Sequence, residues 1–238
     1  MKKCLAEFFG TFALIFAGTG AIVINSVSGG AITHLGIALT FGLMVLAMIY
    51  TIGDISGAHL NPAVTIGFFA ARRFPAREVL PYVASQLAGA TAASLLLAFL
   101  FPQTETLGMT LPVGGLAQSF ILEVALTFIL MWVILSVSTG AQEKGITAGI
   151  AVGSVIALEG IFAGPISGAS MNPARSLGPA VVSLHLEHLW IYFVATVAGA
   201  LLAVPLCRLI RGPDCCGPQA RAFVSDRPVS DRTGILRS

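Results

Sequence analysis

Charge is what this sequence has least of. Lys, Arg, Asp and Glu make up 10% of its 238 residues, while 56% are hydrophobic and the mean hydropathy is +0.90. Soluble domains carry roughly 25% charged residues, so this chain has too few to cover a water-facing surface. From Gly145 to Cys207 the only Lys or Arg is Arg175. Cysteine is scarce too: Cys4, Cys207, Cys215 and Cys216 all lie near the chain ends, which excludes an extracellular disulfide framework, and reduced thiols are expected. Chemistry-bearing clusters are lacking. No His, Cys, Asp or Glu set has metal-ligand spacing, no nucleophile stands near a base, and no glycine-rich stretch has phosphate-loop spacing. Enzymatic activity, a bound metal and a cofactor are not expected. A net charge of +2 gives no footprint for nucleic acid.

What the chain does have is apolar length. Six runs, at about 5–24, 35–53, 79–101, 116–139, 146–163 and 189–210, reach about 20 residues each. Such a run crosses a hydrocarbon core of roughly 30 Å at about 1.5 Å per residue. The first is long and polar in its middle (Glu7, Thr11), so it is expected to be a retained helix and not a cleaved signal. Six spans put both termini on one side. Twelve of the thirteen Lys and Arg fall on that side, which the positive-inside rule makes cytoplasmic. Arg175 is the exception. After Arg211 the composition turns to Gly, Pro, Ser and charge. Residues 212–238 are expected to form a flexible cytoplasmic tail beyond a channel domain of residues 1–211.

The chain also repeats itself. "ISGAHLNPAVTIG" (55–67) and "ISGASMNPARSLG" (166–178) agree at eight of thirteen positions. A fainter echo precedes each, "AEFFGTF" with Glu7 and Thr11, and "LEVALTF" with Glu123 and Thr127. The halves, about 1–100 and 116–210, hold three spans each. The second is therefore inserted upside down relative to the first, an arrangement that places special residues near the bilayer midplane. Asn61-Pro62 and Asn172-Pro173 look like helix starts, with Asn as cap and Pro at the first helical position. The apolar stretches behind them, about 62–70 and 173–183, cross only half a membrane, so they are expected to be re-entrant half-helices. Meeting tip to tip, each N-terminus brings about +0.5 of an elementary charge. Each Asn carbonyl can cap its own helix and leave its NH₂ group free to face a lumen.

With its duplicated Asn-Pro-Ala boxes (Asn61, Pro62, Ala63 and Asn172, Pro173, Ala174), their contexts "SGAHLNPAVT" and "SGASMNPARSLGPA", and the paired Glu-x-x-x-Thr-Phe segments, the sequence resembles the aquaporin, or major intrinsic protein, family over about residues 3–210. The resemblance implies an all-α membrane fold of six transmembrane helices and two half-helices. It also implies a homotetramer in the plasma membrane, with one pore per subunit for water or small neutral solutes. The family's register places a selectivity filter at Phe41, Gly160, Ala169 and Arg175. Water-selective members usually carry His where this chain has Gly160, so a wider hole is expected. The wording around the second box is most similar to plant nodulin-like intrinsic proteins and their bacterial relatives, a subgroup associated with glycerol and neutral metalloid acids. Ser176, Ala180, Tyr192 and Phe193 give a mixed signature.

Other polar residues carry two readings each. Glu7 and Glu123, costly inside a membrane, either relay protons or accept hydrogen bonds from the re-entrant loops, and the second is favoured. Glu159 either braces a loop or lies near Arg175 and offsets its charge. His59 is expected to line or prop the cytoplasmic vestibule. His34, His185 and His188 read as surface residues, and Met171 and Phe162 as packing or pore. Two other classes share some of these features. A coupled transporter also uses inverted repeats and broken helices, but two positive helix ends at one point disfavour Na⁺ or H⁺ coupling. The same ends and Arg175 disfavour a cation channel.

Overall fold

The computed structural model describes residues 1–138 and 142–212, with the backbone alone for 142–146. The described chain is helical throughout. Six long helices are α1 (Lys2–Val27), α2 (Thr33–Ser56), α4 (Ala76–Leu100), α5 (Leu116–Val137), α6 (Gln142–Ser167) and α8 (Leu189–Arg211). Two short ones, α3 (Pro62–Ala70) and α7 (Pro173–Ser183), fall where half-helices were expected. Each long helix contains a stretch apolar enough to cross a membrane. The helices outrun the apolar runs by a few residues at most ends, because backbone hydrogen bonding continues past the last apolar side chain.

Large apolar side chains cover the outside: Phe9, Leu43, Leu95, Ile121, Leu158 and Leu202 are all exposed. Polar residues are inside, among them Glu7, Gln86, Glu123 and Thr196. This is the inverse of a soluble surface, and it suits a bilayer.

The two halves pack alike. Helix α1 lies on α4 as α5 lies on α8, while α2 and α6 lie against each other. Glycine sets both like crossings. A Cβ at Gly89 would stand 2.3 Å from the Phe8 carbonyl oxygen, and one at Gly199 would stand 2.3 Å from that of Val124. Where α2 meets α6, Gly42 and Gly153 each face the other's carbonyl oxygen at 2.4 and 2.6 Å by the same construction. No side chain fits at these places, so backbone meets backbone.

The start of α1 and the end of α8 come to one side of the bundle. Lys3 pairs with Glu78 at the start of α4 at 3.1 Å. Arg208 donates to the carbonyl of Ala70 at the end of α3, and Arg211 Nε donates to Ser136 Oγ near the end of α5. Cys4 is a free thiol. Cys207 is fully buried near the end of α8. The predicted tail beyond Gly212 lies outside the described residues, as do Cys215 and Cys216.

Candidate functional site: a cavity between the two halves

Each half-helix begins as its residues dictate. Asn61 is extended (φ −157°, ψ 119°), and its side-chain oxygen accepts from the Ala63 and Val64 amides at 2.8 and 3.5 Å. Asn172 repeats this (φ −152°, ψ 111°) with Ala174 and Arg175 at 2.9 and 3.4 Å. Pro62 and Pro173 occupy the first helical positions, where a missing N–H costs nothing.

The approach to each Asn is a tight, matched loop. Gly57, Ala58 and Leu60 have φ of 89°, 47° and 54°; Gly168, Ala169 and Met171 have 84°, 41° and 53°. Left-handed backbone at a non-glycine residue costs on the order of 1 kcal/mol, so something must hold it. A buried carboxylate does so in each half. Glu7 accepts from Ser56 Oγ, the His59 and Leu60 amides and Gln86 Nε2 at 2.7–2.9 Å. Glu123 accepts from Ser167 Oγ and the Ser170 and Met171 amides at 2.7–2.9 Å. Tyr82 and Tyr192 each donate to the carbonyl that opens the loop, at Ser56 and Ser167. Both carboxylates are thus engaged with loop donors.

The Asn side chains do more than cap. Asn61 Nδ2 donates to the Met171 carbonyl at 2.7 Å, and Asn172 Nδ2 donates to the Leu60 carbonyl at 2.9 Å. The expectation of wholly free NH₂ groups needs correction. An amide has two N–H donors. One of each ties the halves together, because the opposite loop's carbonyl otherwise lacks a partner, and one remains.

Both Asn residues line a cavity of about 600 Å³ that runs the length of the bundle. Val137, Ser138 and Ala148 line its end on the side where α1 begins and α8 ends, and His34, Met109 and Leu111 line the opposite end. Helix α6 supplies a stripe at every fourth residue (Ala148, Val152, Ile156, Gly160, Gly164), and α2 faces it with Ala38, Phe41, Val45 and Ile49. The two half-helix N-termini meet at its middle.

Phe41, Gly160, Ala169 and Arg175 all line this one cavity. Arg175 is buried, donates from Nη1 to the Gly108 carbonyl at 2.8 Å, and lies 5.1 Å over the Phe41 ring. Gly18 makes room for that ring, since a Cβ there would come within 2.2 Å of it. Gly160 is bare on the cavity side, and its Cβ position would be 3.2 Å from that of Ala38. His59 lines the terminal half of the cavity. Its ring is held by Thr65 Oγ1 at 3.1 Å and lies between Phe68 and Phe74, with centroids 4.7 and 4.8 Å away.

Glu159 does not brace a loop through a hydrogen bond to any described residue. It is buried, and both its carboxylate oxygens lack a hydrogen-bond partner among the described residues. Arg175 turns to Gly108 instead. Phe162 faces outward, 57% exposed, while Met171 lines the cavity. Ser176 bonds to Thr110 and Ser170.

Several residues that line or hold the cavity carry no clear signal in the sequence. Gly108 and Thr110 come from the connection between the halves, which carries no motif. His34, read as a surface residue, is exposed yet lines the cavity mouth. The four-residue stripe of α6 was present as a signal, but it lacks polar contrast with its neighbours.

A bundle that is apolar outside and encloses a full-length cavity between inverted halves defines a multi-pass membrane channel. The chain belongs to the major intrinsic protein family, which it matches over residues 1–206. It is 49% identical over 212 residues to aquaporin NIP1-1 of Oryza sativa subsp. japonica, covering 89% of this chain and 75% of that protein. It is 46% identical over 214 residues to the putative aquaporin NIP4-1 of Arabidopsis thaliana, covering 90% and 76%. Among solved structures, the aquaglyceroporin from Plasmodium falciparum superposes with a TM-score of 0.79 at 27% identity, covering 88% of this chain and 98% of that one. The chain is a channel for water and small solutes, and not an enzyme.

Proposed function

We propose that the cavity is a passive pore for water and small uncharged solutes, glycerol and neutral metalloid acids among them, and that it excludes protons and ions. The observation that carries this reading is the wall at Arg175. The cavity that a buried guanidinium and an aromatic ring line is also lined by Gly160 and Ala169, which have almost no side chain to narrow the passage. The likeness to an aquaglyceroporin supports glycerol as one solute.

Exclusion of ions follows from charge. Two half-helix N-termini of about +0.5 each converge where Asn61 and Asn172 stand, and Arg175 adds a full positive charge. A cation that sheds water there meets only repulsion. One donor from each Asn toward a central water fixes its oxygen, so that water cannot pass a proton onward in both directions. The channel assembles as a homotetramer in the plasma membrane with both termini cytoplasmic, the orientation that its basic residues favour.

Stopped-flow measurements on proteoliposomes test this with water, glycerol, urea, boric acid and arsenous acid. Downhill, non-saturating flux of water and glycerol without an ion gradient is expected, with no dissipation of a pH gradient. Passage of water alone returns the filter to the strictly water-selective class. Accumulation against a gradient overturns the channel in favour of coupled transport.

A further inference from the structure

At the filter positions, side chains offer donors but no acceptor. Arg175 can only donate, and Phe41, Ala169 and Gly160 have no polar side-chain atom. A hydroxyl-bearing solute that sheds water must give a hydrogen bond as well as receive one. One side chain at the adjoining mouth can accept it.

His34 lines the cavity there from the first turn of α2. Its Nε2 lies 2.7 Å from the carbonyl oxygen of Ile161 in α6. That carbonyl is available because the residue four positions on, Pro165, has no N–H to give it. A carbonyl only accepts, so Nε2 must carry the proton. In the neutral ring, Nδ1 is then an acceptor, and no described residue bonds to it. The ring lies close against Gly164, where a Cβ would stand 2.6 Å from Cε1. Gly164 is one helical turn beyond Gly160 on the same stripe. The imidazole therefore occupies space that α6 leaves empty, in a fixed tautomer.

We propose that His34 is a solute-contacting residue of the outer mouth, and that its Nδ1 accepts hydrogen bonds from hydroxyl-bearing solutes as Arg175 donates to them. The proposal rests on the reading of the cavity as a pore for glycerol-sized solutes. It assigns specificity to a residue outside the four filter positions.

The test is the ratio of glycerol to water permeability, measured in the same proteoliposomes for wild type, His34→Ala and His34→Gln. The ratio is independent of how many channels are active, so incomplete folding of a variant does not obscure it. Loss of one hydrogen bond predicts a fall of about two- to tenfold for His34→Ala. His34→Gln keeps an N–H for Ile161 and an oxygen for the solute, so its ratio is expected within about twofold of wild type. An unchanged or raised ratio for His34→Ala, the latter being the mark of a steric plug, overturns the role of His34 and leaves the pore standing. A wild type that passes water but no glycerol overturns the wider pore and this proposal with it.

Discussion

The two re-entrant loops are alike in what holds them and unlike in what they present. Each has a left-handed Gly, two further left-handed residues, a capping Asn, a Pro and a buried Glu that gathers the loop amides. Beyond that frame they part. The first loop presents His59, locked among aromatic rings, and at the position matching Arg175 it has the apolar Val64. The second presents Ala169, Ser170 and Arg175. Glu7 also holds Gln86, where the second half has Thr196 bonded within its own helix. The loop backbone and the carboxylate that holds it are the same in both halves, because buried amides have few possible partners. The lumen side is free to differ, and the halves differ there.

Removing the carboxylates should have the largest effect. Glu7→Leu and Glu123→Leu each strand two loop amides, so each is expected to cost on the order of 3 kcal/mol or more. Glu7→Leu should be the worse, since it also loses the bond from Gln86. Thermal unfolding in detergent measures this, and equal losses would show that the extra donor contributes nothing.

The helix crossings come next. Gly89→Ala and Gly199→Ala each force a methyl group onto a backbone carbonyl, with an expected cost of about 1–3 kcal/mol. Because the two contacts match, the costs should agree within about 0.5 kcal/mol. A clear inequality would mean that the two halves relax differently despite their common geometry.

The caps should matter least for stability. Asn61→Ala and Asn172→Ala each lose a cap of about 1 kcal/mol together with one tie between the halves. Similar melting temperatures are expected for the two variants, which would confirm that the Asn pair is symmetric in structure whatever its members do in the lumen.

Much of this was legible in the chain. Half-helices α3 and α7 begin at Pro62 and Pro173 as read, because Asn-Pro fixes both the cap and the first φ angle. The partners of the side chains were less legible. Nothing near Asn61 in sequence points to Met171, 110 residues away. Glu159 was expected to brace a loop or to lie near Arg175, and its carboxylate has no hydrogen-bond partner among the described residues, since helical register shows which face a residue occupies but not what stands opposite. His34 was read as surface; it is exposed, and it lines the cavity mouth. Lone Pro165, unremarkable in a helix near its end, frees the carbonyl that fixes the ring.

By itself the sequence determined the number of spans, their inverted duplication, the two half-helix starts and the asymmetry between Val64 and Arg175. These follow from local rules: apolar length, capping chemistry and repetition. Only the tertiary structure decided that each Asn ties its loop to the other half, that Gly108 takes the guanidinium, and that His34 turns its ring to the mouth. Those depend on where distant backbone carbonyls come to rest, which is set by the packing of glycine-lined helices.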